Sequence, residues 1–227
     1  MRRRFAAVLL GLCGLVAGCS SSVAGTGTIA ADAARPSGGA SPSATGSAPA
    51  PEPSATGGTD DEGRSSLACT GTKIAPAGSP YCFSVPAGFQ DVSSSVTVDA
   101  SIGKEKYRSA VAVGDRDLII VSVYELRVDT DGIADDTLEG ELKTVLGQLA
   151  QQGFTFESTS ADKTTVDGAR SFGYHATQKS SGLESDVYFL FRGKNELQVN
   201  CQWKTKEADI TRGCKSVLGS LQFKTVK

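Results

Sequence analysis

Asp117 to Leu126 is apolar at both parities, with Leu118, Ile120, Tyr124 and Leu126 at even positions and Ile119, Val121 and Val123 at odd ones. A strand with one wet face alternates apolar and polar side chains. A run that is apolar on both sides belongs inside a sheet that carries a layer on each face. The rest of the chain therefore has to supply neighbouring strands and two covering layers.

Both are legible. Tyr81 to Pro86 alternates, with Tyr81, Phe83 and Val85 on one face and Cys82 and Ser84 on the other, and Pro86-Ala87-Gly88 stops the strand. Glu105 to Val113 alternates through Tyr107, Ser109, Val111 and Val113. Leu138, Leu142, Val145, Leu146 and Leu149 form one stripe of a helix over about 136–152, with Asp136 and Glu139 as its capping pair and Gly153 as its stop. Phe154-Thr155-Phe156-Glu157 opens a second strand series, and Val166-Asp167-Gly168 reads as a hairpin turn. Arg170 to Gln178 puts Phe172, Tyr174 and Ala176 on one face. Val187, Phe189 and Phe191 share a face of the next strand, and Gly193-Lys194-Asn195 turns it into a last one with Leu197, Val199, Cys201 and Trp203 aligned. Ile210, Cys214, Val217, Leu218 and Leu221 mark a closing helix that starts near Asp209. The order predicts an α+β domain, a mainly antiparallel β-sheet covered by two main α-helices.

The N-terminus is of another kind. Arg2, Arg3 and Arg4 precede an apolar run from Phe5 to Ala17, too short to span a bilayer, which needs roughly 20 apolar residues. The run closes in Leu15-Val16-Ala17-Gly18-Cys19, which resembles the bacterial lipobox. The resemblance implies removal of residues 1–18 and acylation of Cys19. At about 0.8 kcal/mol per buried methylene, one acyl chain is marginal and two hold the protein to the membrane. Residues 19–66 are almost all Gly, Ala, Ser, Thr and Pro, which predicts a disordered tether with a reach of roughly 35–40 Å. Residues 67–227, about 160 in all, make one extracytoplasmic globular domain.

Of six cysteines, Cys13 falls in the signal and Cys19 in the lipobox. Cys69, Cys82, Cys201 and Cys214 remain, an even number in an exported chain, so two disulfides are expected. Counting alone permits three pairings. Cys201 shares a strand face with Leu197, Val199 and Trp203, and Cys214 lies on the buried stripe of the last helix, so these two meet across strand and helix. Cys82 turns away from Phe83 and Val85, and its simplest partner is Cys69 in the segment leading into that strand.

The pattern Tyr81-x-Phe83-x-Val85-Pro86-x-Gly88-Phe89, then Val166-Asp167-Gly168 before an aromatic hairpin, then a final helix running into Leu218-Gly219-Ser220-Leu221, resembles the Mog1/PsbP-like domains. It is most similar to the membrane lipoproteins of actinobacteria that carry such a domain. The resemblance covers about 81–223 and implies a scaffold that binds partners, usually without catalysis. Phe89 stands where the family often has tryptophan, and no family functional residue maps onto this chain.

Residue chemistry points the same way. The single histidine, His175, cannot make a multi-histidine zinc site, and there is no G-x-S-x-G elbow or phosphate-binding glycine loop. Ser101-Ile102-Gly103-Lys104 fits S-x-x-K without its companion motifs. The acidic run Asp129, Asp131, Asp135, Asp136 and Glu139 misses EF-hand spacing and suits a helix N-terminus. Phe172, Tyr174, Phe189, Phe191 and Trp203 read as core. Lys204, Lys206, Arg212, Lys215, Lys224 and Lys227 read as a solvated face able to touch anionic polymers.

Removing Arg2, Arg3 and Arg4 leaves 20 basic against 25 acidic residues, and setting aside the tether's two arginines and five acids leaves 18 against 20 in the domain. Such a balance does not serve nucleic-acid capture. The expected role is a non-catalytic interaction module of the cell envelope, held on the outer face of the cytoplasmic membrane and engaging an envelope protein or polymer. No cofactor, metal or catalytic residue is expected. A carrier or sensor of a small apolar ligand or lipid is the alternative, and a hydrolase the third class.

Overall fold

The computed structural model describes residues 67–96, 98 and 105–224. The signal, Cys19 and the tether lie outside these residues, as do Ser101–Lys104 and Lys227.

In chain order the elements are β1 (Lys73–Ile74), β2 (Tyr81–Ser84), β3 (Gln90–Asp91), β4 (Glu105–Ala112), β5 (Leu118–Glu125), α1 (Asp135–Gln151), β6 (Phe154–Phe156), β7 (Asp162–Val166), β8 (Ala169–Gln178), β9 (Leu183–Arg192), β10 (Asn195–Trp203), α2 (Glu207–Ser220) and β11 (Gln222–Phe223). The main sheet runs β3-β4-β5-β10-β9-β8-β6, with β7 also paired to β8, and every pairing is antiparallel. A small sheet, β1-β2-β11, stands apart. The architecture is thus α+β, a mainly antiparallel sheet with a helix on each face.

β5 lies between β4 and β10, and residues 118–123 are all buried, as a strand apolar at both parities requires. Its odd face, with Leu190 of β9 and Leu197, Val199, Cys201 and Trp203 of β10, packs against Ile210, Cys214 and Val217 of α2 and against Tyr81, Phe83 and Phe223 of the small sheet. On the other face Leu138, Leu142 and Leu146 of α1 meet Phe172, Tyr174, Phe189 and Phe191. Each fully buried side chain of this size contributes about 1.5–3 kcal/mol. Trp203 therefore parts from the other four aromatics, because residues 202 and 203 face opposite sides of the sheet. On the α1 side of β4 and β5, Val92 and Val96 pack on Ala110, Ala112, Leu118 and Ile120.

The turns obey local rules. Asp167 and Gly168 take φ of 49° and 74°, the two positive values of a type I′ hairpin, and join Val166 to Ala169. Asp167 also accepts the Phe223 amide at 2.8 Å, while Arg192 donates to the carbonyls of Asp167 and Phe223. The β7–β8 turn is thereby fastened to the small sheet. The β9–β10 turn needs only Gly193 and Lys194, since Arg192 pairs directly with Asn195. Gly153, with φ of 93°, follows α1 as its stop.

The start of α1 differs from the expected capping pair. Ala134 is the N-cap and makes no side-chain cap. Asp136 and Glu139 instead hold Lys163 of β7, at 3.1 and 2.8 Å, and Glu139 also accepts the Ala161 amide. α2 begins at Glu207, two residues before Asp209, because Asp117 organises the segment before it. Asp117 Oδ1 accepts the amides of Lys204, Thr205 and Lys206, each at 2.9 Å, and Oδ2 accepts the Thr205 hydroxyl at 3.0 Å.

α2 comes close to the sheet at Gly213. A Cβ there would lie 2.4 Å from Phe89 Cζ and 3.1 Å from Ile119 Cδ1. Gly213→Ala is expected to destabilise the domain by about 1–3 kcal/mol through overpacking. Phe89→Leu in that background should recover part of the loss, a coupling that denaturant titration of the four variants measures. Strict additivity would show that ring and helix do not meet as described.

Candidate interaction surface

The structure joins Cys69 to Cys82 and Cys201 to Cys214, the pairs that strand geometry selects. Two disulfides indicate an oxidising, extracytoplasmic setting. Among the described residues no helix is long and apolar enough to cross a membrane.

The residues suspected of chemistry are occupied in holding the fold. Asp129 accepts the Asp131 amide, Asp131 accepts the Gly193 amide at 2.7 Å, and Asp135 pairs with Arg170. Arg170 also donates to the carbonyls of Thr130 and Ile133. Of the basic set, Lys204 donates to the Ser181 carbonyl, Lys206 to the Val113 carbonyl and Arg212 to Asp209. Arg212 and Lys215 also border a shallow depression on the outer side of α2, with Glu207, Ala208 and Thr211. The spaces between sheet and helices, where a carrier would hold an apolar ligand, are occupied by the side chains of the two cores.

Two polar arrangements remain. On the α1 side, β10 presents Glu196, Gln198, Asn200 and Gln202, the parity opposite its apolar one. Gln198 donates to Glu196 at 2.8 Å, and Arg108 donates to the fully buried Glu105 carboxylate at 2.8 Å. Burial pushes the Glu196 carboxyl above its usual range, offset in part by Gln198. Burial likewise pushes the nearby Tyr124 hydroxyl up to about 12, reinforced by Glu105 and Glu196. The Gln198–Glu196 and Arg108–Glu105 pairs engage these groups with one another inside the layer.

The second arrangement lies on the other face of β6–β9, beyond the edge of α2. Register places Glu157, His175 and Asp186 in one row, since the Glu157 amide donates to the His175 carbonyl and His175 pairs with Asp186. Thr155, Thr177 and Glu184 form the next row, and Asp162, Gly173 and Tyr188 the row on the other side. His175 Nδ1 lies 2.9 Å from Asp186 Oδ1, and Nε2 lies 3.7 Å from Glu184 and 3.9 Å from Glu157. The His175 ring stands 5.7 Å from that of Trp203. These four polar side chains are 25–76% exposed, in contrast to the same sheet face under α2. Gly173 leaves space that the Tyr188 ring fills, 3.2 Å from where a Cβ would stand. Burial raises the Tyr188 hydroxyl, and Asp186 and Asp162 raise it further, so both carboxylates act on that ring.

In the sequence only His175 stands out here. Glu157 follows β6, Asp162 opens β7, and Glu184, Asp186 and Tyr188 lie on β9, so only pairing register gathers them. The available signal was the polar parity of β8 and β9, opposite Phe172 and Phe189.

No protein-family model matches the chain, and no curated protein matches it. Among solved structures the domain is similar to the solution structure of PsbP from the cyanobacterium Synechocystis, with TM-score 0.47, 12% identity and coverage of 71% of this chain and 96% of that one. It is similar to the Ran-binding protein Mog1p of Saccharomyces cerevisiae, with TM-score 0.39, 15% identity and coverage of 68% and 96%. A crystal structure from Bacteroides thetaiotaomicron gives TM-score 0.43 and 11% identity over 68% of this chain, which spans about half of that structure, 49%.

Proposed function

We propose that this is a lipoprotein whose extracytoplasmic domain, tethered to the membrane through acylated Cys19, binds a partner in the cell envelope without catalysing a reaction. The open sheet face of β6–β9 carries the binding part of this reading. A sheet packed on one side and half-covered on the other leaves a rigid, structured surface outside the core. The anchoring part rests on the charged, apolar and Val-Ala-Gly-Cys segments in succession, and the disulfides support export. Domain limits of 19–66 for the tether and 67–227 for the globular part belong to the same proposal.

Cys19→Ser is the direct test of the anchor. The wild-type chain is expected in the detergent phase of a phase-separation assay, and the variant in the aqueous phase or as uncleaved precursor. Identical partitioning of the two would remove the anchor from the account.

A further inference from the structure

We propose that the open face of β6–β9 is a docking surface for a basic segment of a partner protein, an extended stretch carrying lysine or arginine. This rests on the interaction-module reading above and names the chemistry of the partner.

Charge complementarity chooses the occupant. Thr155, Glu157, Asp162, Thr164, Gly173, His175, Thr177, Glu184, Asp186 and Tyr188 are the outward positions of the open part, and the one basic residue of β7–β9 on this parity, Arg192 at the far end of β9, is engaged with Asp167 and Phe223. Four carboxylates are thus gathered on one face of a domain whose remaining charge is nearly balanced. Anionic polymers and phospholipid headgroups are repelled by such a field, and cations are drawn to it. The carboxylates stand one or two strand spacings apart, about 5–10 Å, and alternate side chains of an extended peptide are roughly 7 Å apart. Lysines at alternate positions therefore meet successive carboxylates.

The face also has features that a plain acidic cluster lacks. Tyr188 is half-buried beside Asp162 and Asp186, an aromatic surface on which a guanidinium or ammonium packs. Gly173 makes room for that ring to lie against the sheet, so Tyr188 is held in place on the face. Ser171, the next residue of β8 on this face, has a buried hydroxyl with no hydrogen-bond partner, a polar group the fold itself leaves unused beside Gly173. Neither helix covers this area: α1 packs on the opposite side and α2 over β10, β5 and β2. The competing occupant is a second copy offering Arg212 and Lys215 of α2.

The test uses the full chain, purified in detergent, titrated with an eight-residue peptide of alternating lysine and serine. Trp203, the only tryptophan, reports from beside His175. Saturable binding is expected, at least tenfold weaker in Glu157→Gln/Glu184→Gln/Asp186→Asn. A charge-matched control at exposed or half-exposed positions elsewhere, Asp115→Asn/Glu141→Gln/Glu207→Gln, should stay within twofold of wild type. Should the first variant lose its thermal transition, an ionic-strength series on wild type decides. Binding must then weaken at least tenfold between roughly 50 and roughly 500 mM salt. No saturable binding, equal losses in both variants, salt-independent binding, or self-association that the peptide does not compete would each overturn the assignment. A specific partner captured in cells without any response to the peptide would overturn the basic-segment assignment alone and leave the interaction module standing.

Discussion

Asp117→Ala is expected to destabilise the domain by about 3–5 kcal/mol, a large part of the roughly 5–15 kcal/mol that holds a domain of this kind together. The side chain is 4% exposed and accepts four hydrogen bonds, three of them from consecutive amides that lead from β10 into α2. Alanine removes the acceptor of all four donors, at about 1–3 kcal/mol for each that water does not reach. Asp117→Asn keeps the Oδ1 acceptor and loses the charge, so about 1–2 kcal/mol is expected. The pH dependence follows from sign. Burial alone would raise this carboxyl, but the amides of Thr205, Lys204 and Lys206 and the Thr205 hydroxyl outweigh it and hold the pKa below the ordinary value. A folded-state pKa below the unfolded one gives stabilisation that is complete above the unfolded value, about 3.9, and is lost as pH falls through the folded value. Glu139, lowered chiefly by Lys163, acts in the same direction. Glu196, raised by burial, acts in the opposite one. Denaturant midpoints from pH 7 to 3 should fall more steeply for wild type than for Asp117→Asn. Parallel profiles would remove Asp117 as the source.

The second large effect is Cys201→Ala/Cys214→Ala, expected to cost about 3–5 kcal/mol. Closing a loop of 13 residues contributes about 3 kcal/mol by unfolded-chain entropy. Both sulfurs also sit in the core between sheet and α2, at 0% and 4% exposure, where their loss leaves space beside Val199 and Ile210. The Cys69–Cys82 bridge, lost in Cys69→Ala/Cys82→Ala, closes a loop of the same length but ties the segment before β1 to β2. About 3 kcal/mol is expected there, with hydrogen exchange rising first in residues 69–74. Equal losses with identical exchange maps would contradict the distinction between the two bridges.

What the sequence disclosed followed periodicity. β5 could be placed between two strands because both parities are apolar, and α1 and α2 because their stripes recur at helical spacing. β7 was invisible: Asp162-Lys163-Thr164-Thr165 carries no apolar alternation and is a strand only because β8 offers its edge. The small sheet was equally hidden, since Cys82 pairs with Gln222 across nearly the whole domain and neither two-residue partner of β2 has a pattern of its own. Asp117 read as the polar start of a strand, and its three amides lie on a segment that only the fold brings alongside. The open face was half legible. β8 shows polar residues opposite Phe172 and Tyr174, yet the row Glu157, His175, Asp186 exists only in the register of three strands.

The central claim is that this face meets a partner while the domain stands on its tether. Placing a photo-crosslinking residue at Thr177, inside the open face, or at Thr211, on the outer side of α2, tests it in intact cells. A discrete adduct is expected at Thr177 and none at Thr211. Adducts of equal yield at both positions, or none at Thr177, would contradict it.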